Sequence, residues 1–178
     1  MEAEPKRILL DSGKIASRVG ELAEEINDTY SGEPLTIVGV LDGCLIFLAD
    51  LVRRLRMPME LVLVRVKTYL DADTPQKKPV IPPDDLARVA GGRVLVVDDI
   101  YDTGATLAAL ETELLRVGAI DVKLCVLLEK DAPHKHEATL DFRGFAIPNV
   151  FVVGYGLDYA GRYRNLPHIA ELDQTEDI

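Results

Sequence analysis

The chain has no tryptophan and only two cysteines among its 178 residues. Cys44 and Cys125 are too few for a disulfide framework or a cysteine zinc site, which fits a reducing, cytoplasmic setting. Long apolar runs are missing too. No stretch approaches the roughly 18 to 20 uncharged apolar residues that span a bilayer. The opening MEAEPKRILLDSGK has no apolar leader core, so no membrane association is expected. Basic residues are outnumbered, 20 Lys and Arg against 30 Asp and Glu, for a net charge of -10. That balance disfavours non-specific nucleic-acid binding, because phosphates are drawn to clustered cations. An anionic ligand must therefore be held by local groups. Repeats, low-complexity tracts and a dividing linker are absent as well. What remains, 48% hydrophobic and 28% charged residues, has globular proportions and suits a single domain over 1–178.

The apolar residues are patterned. Ile15, Val19, Leu22 and Ile26 recur at spacings of three and four, predicting an amphipathic helix over 12–30, capped near Ser12 and ended by Gly32 and Pro34. The run LTIVGVL, Leu35–Leu41, suits a strand buried on both faces of a parallel sheet. Helical spacing returns over 43–55, and ELVLVRV (60–66) predicts a second strand. Residues 68–85 carry Pro75, Pro79, Pro82 and Pro83, are polar and lack periodicity. They read as a long loop, of the kind that forms lids or disordered segments. Further strands are predicted at 93–98, 122–128 and 150–153, with a helix from about 104 to 117 closed by Gly118. The alternation predicts an α/β fold, a mostly parallel central sheet flanked by helices over about 12–153. The ends, 1–11 and 154–178, fall outside the alternation and suit a small hood.

The most informative stretch is VLVVDDIYDTGAT, 94–106. Its apolar half leads to the carboxyl end of a strand, where open α/β sheets bind ligands. Asp98 and Asp99 stand at that edge. The turn Asp102, Thr103, Gly104, Ala105, Thr106 then opens a helix, offering free backbone N–H groups, two hydroxyls and a glycine that lets the chain approach an anion. With the helix dipole this makes a phosphate cradle. No Walker Gly-Lys pair is present. Paired carboxylates beside a phosphate cradle suit a phosphorylated sugar, whose vicinal hydroxyls donate to them.

This segment resembles the phosphoribosyl-pyrophosphate (PRPP) signature of type I phosphoribosyltransferases. LDGCLIFLADLVRRL (41–55), LLEKDAP (127–133) and VVGYGLDYAGRYRNLPHI (152–169) narrow the resemblance to the hypoxanthine-guanine phosphoribosyltransferases. The resemblance implies transfer of ribose 5-phosphate from PRPP to N9 of hypoxanthine or guanine, giving IMP or GMP and pyrophosphate. It implies Mg²⁺ as cofactor, held by Asp98, Asp99 and Asp158, with the first two also at the ribose hydroxyls. Asp102 matches the general base acting at the purine N7; as a bare residue it is also a helix-capping aspartate. Thr103, Gly104, Ala105 and Thr106 would hold the 5′-phosphate. Lys130 would donate to the purine O6 and so select oxopurines over aminopurines. Phe151 would stack on the base, although a strand aromatic also suits the core, and Val152 and Asp158 would complete the purine site. Leu41, Asp42, Gly43 and Arg164 match the pyrophosphate contacts, the loop commonly carrying a non-proline cis peptide. Thr68 and Tyr69 would belong to a mobile lid over about 68–83. A homodimer or homotetramer is implied.

Three positions depart from the family pattern. Asp42 stands where Lys or Arg is frequent, so its side chain is expected to turn away from the polyanion. The lid reads Lys67-Thr68-Tyr69-Leu70, without the usual glycine, and Tyr101 replaces an aliphatic residue. His134 and His136 lack a third metal ligand nearby. Cys125 suits the core. Two other readings stand beside the main one: xanthine as preferred base, and a nucleotide sensor of the same fold that binds RNA.

Overall fold

The computed structural model describes residues 5–71, 74–80, 88–133, 136 and 138–172. The chain begins with β1 (Pro5–Leu10) and turns into α1 (Ser12–Tyr30). The cap is Asp11, one residue before the expected position; its carboxylate accepts a 2.9 Å hydrogen bond from the Lys14 amide. The predicted apolar stripe, Ile15, Val19, Leu22 and Ile26, is fully buried. Then follow β2 (Leu35–Leu41), α2 (Leu45–Val52), β3 (Met59–Asp71), β4 (Thr74–Val80), β5 (Arg93–Tyr101) and α3 (Ala105–Arg116). The chain closes with β6 (Asp121–Asp131), β7 (Phe142–Pro148), β8 (Val152–Val153) and β9 (Ile169–Leu172).

The main sheet has the order β4-β3-β2-β5-β6-β7. The five strands from β3 to β7 are parallel, in registers such as Gly39 opposite Val97 and Val97 opposite Cys125. Alternation along the central strands decides which face each residue serves. Ile37, Leu95, Val97 and Leu127 pack with Ile15, Leu22, Phe47 and Leu51 on the side of α1 and α2. Val38, Val96 and Val126 pack with Leu107, Leu110 and Leu114 of α3 on the other. Each such leucine contributes about 1.5–3 kcal/mol on burial. This two-faced burial is why the strands read as continuous apolar runs.

Two sequence expectations are corrected. The stretch 68–85 is not a structureless loop: β3 continues to Asp71, and β4 returns antiparallel, with Thr68 opposite Lys77 and Leu70 opposite Pro75. Pro75 and Pro79 suit β4 because it is an edge strand, where an N–H on the side away from β3 has no ladder partner to lose. Residues 72–73 and 81–87 lie outside the described residues. The second correction concerns 150–153. The fifth parallel strand is β7, FRGFAIP, and not this apolar run. Val152 and Val153 instead pair antiparallel with Glu171 and Ala170 of β9, and β9 pairs with β1. The expected hood is thus a three-stranded antiparallel sheet, β1-β9-β8, built largely from the chain's two ends. The Tyr155 hydroxyl, just after β8, donates to Asp50 of α2 at 2.6 Å and ties this region to the core.

Candidate active site

Because β2, β5 and β6 are parallel neighbours, their carboxyl ends deliver three loops to one edge of the sheet. From β5 come the two acids. Asp98 is buried, and its carboxylate accepts the Asp99 amide at 2.9 Å. Burial pushes the Asp99 carboxyl up to about 6, opposed by hydrogen bonding from Asp98. The chain then turns through Asp102, Thr103 and Gly104 into α3. Gly104 has φ of 79°, and a β-carbon there would lie 2.0 Å from the His136 carbonyl oxygen, so only glycine suits the turn. Asp98, Asp99, Asp102, Thr103, Gly104 and Thr106 line a cavity of about 300 Å³. Ala105 opens α3 without being part of that lining.

The departure at Tyr101 has a structural use. Its buried hydroxyl donates to the His136 carbonyl (2.9 Å) and accepts from the Ala138 amide (3.0 Å). His136 in turn donates its backbone N–H to Thr103 O at 3.1 Å. An aliphatic residue offers no such bridge. His134 lies outside the described residues.

The loop after β2 meets the acids from the side. The Leu41–Asp42 peptide is cis, as the resemblance implied. A β-carbon on Gly43 would stand 1.7 Å from Asp99 Oδ2, and one on Gly156 would stand 2.2 Å from Gly43 O. Hood segment, loop and acid are therefore stacked with backbone against backbone and carboxylate. The Asp42 carboxylate reaches Arg65 Nη2 of β3 at 3.0 Å, while the residue lines the adjoining cavity.

That second cavity, of about 480 Å³, gathers most of the remaining candidates: Lys130, Phe151, Val152, Asp158 and Arg164, beside Asp42, Gly43, Asp99 and Asp102. Lys130, from the end of β6, lies 3.3 Å from Asp102. Phe151 meets Tyr159 edge to face, with centroids 5.7 Å apart. Arg164 pairs with Asp158 at 2.7 Å and donates to Gly156 O at 2.6 Å, so one guanidinium holds both the acid and the hood turn. Asp158 also accepts the Gly161 amide at 2.8 Å. The backbone of Thr68 and Tyr69 belongs to β3; their side chains lie outside the described residues.

Sequence reasoning missed Ile100 and Leu157, which line the second cavity, and Arg65 and Tyr159 beside it. Ile100 and Leu157 stood within quoted segments, one residue from an assigned acid in each case. Arg65 carried no local signal. Both cysteines are buried, and burial pushes their thiols well above the ordinary range, which disfavours a nucleophilic role.

Among the described residues, no group of three His, Cys, Asp or Glu side chains is placed to hold a metal alone. Carboxylate oxygens facing a cavity still suit Mg²⁺, which takes one or two protein carboxylates and fills its shell with substrate oxygens and water.

Comparisons with known proteins show the family and the fold. Residues 7–160 match the family model described as the phosphoribosyl transferase domain. The hypoxanthine-guanine phosphoribosyltransferase of Bacillus subtilis is 37% identical over 173 residues, covering 97% of this chain and 96% of that protein. The bifunctional protein TilS/HprT of Listeria monocytogenes is 38% identical over 172 residues. There the match covers 97% of this chain but only 26% of the longer protein. Among solved structures, a mutant hypoxanthine phosphoribosyltransferase from Trypanosoma cruzi, complexed with the product IMP, superposes with a TM-score of 0.87 at 32% identity, covering 98% of this chain and 94% of that one. With the family model spanning most of the chain and relatives alike over nearly their whole length, the chain belongs to the phosphoribosyltransferase family, in its hypoxanthine-guanine branch.

Proposed function

We propose that the chain transfers ribose 5-phosphate from PRPP to N9 of hypoxanthine or guanine, releasing pyrophosphate and forming IMP or GMP. The observation that carries the reading is the place of Asp102, which lines both cavities: the phosphate cradle on one side and the space bounded by Lys130 and Phe151 on the other. A group so placed stands where a sugar carbon and a purine nitrogen have to meet.

The purine N9 lone pair forms the new bond to C1′ as the bond from C1′ to the pyrophosphate oxygen breaks, and the leaving group keeps that electron pair. Asp102 is the base that handles the purine N7 proton. Thr103, Gly104, Ala105 and Thr106 hold the 5′-phosphate at the start of α3. Asp98 and Asp99 accept from the ribose hydroxyls. Lys130 donates to O6, Phe151 stacks on the ring, and Val152 and Asp158 complete the base site. Leu41, Asp42, Gly43 and Arg164 form the pyrophosphate side. Asp98, Asp99 and Asp158 would hold Mg²⁺, which supplies charge neutralisation for the departing pyrophosphate. The segment 68–83, with Thr68 and Tyr69, closes as a lid and excludes water from the reacting carbon. The working form is a cytoplasmic homodimer or homotetramer; two free, buried cysteines fit a reducing compartment.

The test is conversion of hypoxanthine, guanine, xanthine and adenine with PRPP and Mg²⁺, with Asp102→Asn alongside. Turnover of hypoxanthine and guanine, refusal of adenine and a much slower variant support the reading. Binding of PRPP or nucleotide without turnover replaces it with the sensor, and a dominant rate with xanthine replaces the base assignment.

A further inference from the structure

The acid in the loop after β2 has a counter-ion on the neighbouring strand. Leu41 and Arg65 face each other in the parallel register of β2 and β3, which brings the next side chain, Asp42, within reach of the guanidinium. Arg65 Nη2 stands 3.0 Å from Asp42 Oδ1, with the two side chains 69% and 51% exposed. The Asp42 carbonyl is engaged as well, accepting the Leu45 amide at 3.3 Å. Among the described residues that line the second cavity, the acids Asp42, Asp99, Asp102 and Asp158 face two cations, Lys130 and Arg164. Both of those are paired, Lys130 with Asp102 and Arg164 with Asp158. A carboxylate left ionised and unpaired on this loop would repel any polyanion arriving there.

We propose that Arg65 is a positioning residue for pyrophosphate binding, acting by drawing the Asp42 carboxylate toward β3 and neutralising it. The inference rests on the phosphoribosyl-transfer reading for its ligand. Arg65 sits on the strand beside the loop, and its effect on the anion passes through Asp42. The loop can thus carry an acid and still serve a polyanion.

A double-mutant cycle tests this, because only residues that act on one another show non-additive effects. The full chain is titrated calorimetrically with inorganic pyrophosphate and Mg²⁺ as wild type, Arg65→Gln, Asp42→Asn and the double variant. Arg65→Gln is expected to weaken pyrophosphate binding about two- to fivefold, the range of an exposed ion pair. In the Asp42→Asn background the same substitution is expected to have no effect. Arg65→Lys, which keeps the charge, restores binding. The KM for PRPP rises in parallel while the KM for hypoxanthine holds, a split that general loss of packing does not produce. Equal weakening in both backgrounds overturns the proposal, since the guanidinium then meets the anion itself. No weakening in either background overturns it too, as does a wild type that binds no pyrophosphate. A wild type that binds pyrophosphate but transfers no phosphoribosyl group ends the functional reading alone, and the cycle still decides the role of Arg65.

Discussion

Gly43 is pressed against Asp99 so closely that a β-carbon on the glycine would lie 1.7 Å from Oδ2 of the carboxylate. No rotation of a methyl group relieves an overlap of that size, so either the loop or the acid has to move. Gly43→Ala is therefore expected to lower kcat/KM for PRPP by about 100-fold, the effect of displacing a reacting group by roughly 1 Å. Circular dichroism should remain that of the folded chain. An unchanged kcat/KM would mean that Asp99 moves aside without consequence and has no part in holding the ribose.

Lys130 gives a prediction about base choice. Its ammonium is mostly buried and lies 3.3 Å from the half-exposed Asp102, at the border of the two cavities. A charged hydrogen bond to the purine O6 is worth about 1.5–3 kcal/mol. Lys130→Met is thus expected to cut kcat/KM for hypoxanthine by about 10- to 100-fold, narrowing the gap to adenine. Competition between the two bases measures the ratio directly. If the ratio is unchanged while both rates fall, Lys130 serves Asp102 and does not read the base.

Tyr101 bridges the His136 carbonyl and the Ala138 amide across the back of the phosphate turn. Tyr101→Phe keeps the ring in its core position and removes both bonds. Both backbone groups are part-buried, so losing their partner costs about 1 kcal/mol, the low end for an unmade bond. The urea midpoint should fall accordingly, and the KM for PRPP should rise because the turn at Thr103 and Gly104 loses its backing. A midpoint equal to that of the wild type would show that water takes over the hydroxyl's bonds.

How much of this was legible in the sequence follows from where each signal resides. LTIVGVL has one polar residue, Thr36, because both faces of β2 are covered, so its bounds could be read directly. The edge strand β7, FRGFAIP, has polar and glycine positions interleaved, and the apolar run at 150–153 drew the assignment away from it. The hairpin of β3 and β4 was hidden by Pro75 and Pro79, which an edge strand accepts. The shared cavity of Asp98, Asp99, Asp102, Thr103, Gly104 and Thr106 was legible because these residues lie within one short segment at a strand-to-helix turn. Arg65 was not, since its meaning depends on the strand register that brings it to Asp42, 23 residues away.

Asp99 predicts a dependence of stability on pH with a definite sign. Its carboxyl, ordinarily near 3.8, is raised to about 6 by burial in the folded chain. Between those two values the folded state holds more of this proton than the unfolded state does, so stability from this site falls as pH rises and is level above about 6. The observable is the difference in urea midpoint between wild type and Asp99→Asn, measured without Mg²⁺ across that interval. The wild type should lose ground to the variant as pH increases, because the amide carries no charge to desolvate. In the role proposed for it, Asp99 accepts from the ribose hydroxyls most strongly when ionised, so PRPP affinity should move in the opposite direction and weaken as pH drops through about 6. A midpoint difference that is flat with pH would place Asp99 in ordinary solvent contact. The acid that best supports ligand binding at neutral pH would then no longer be one that destabilises the empty site.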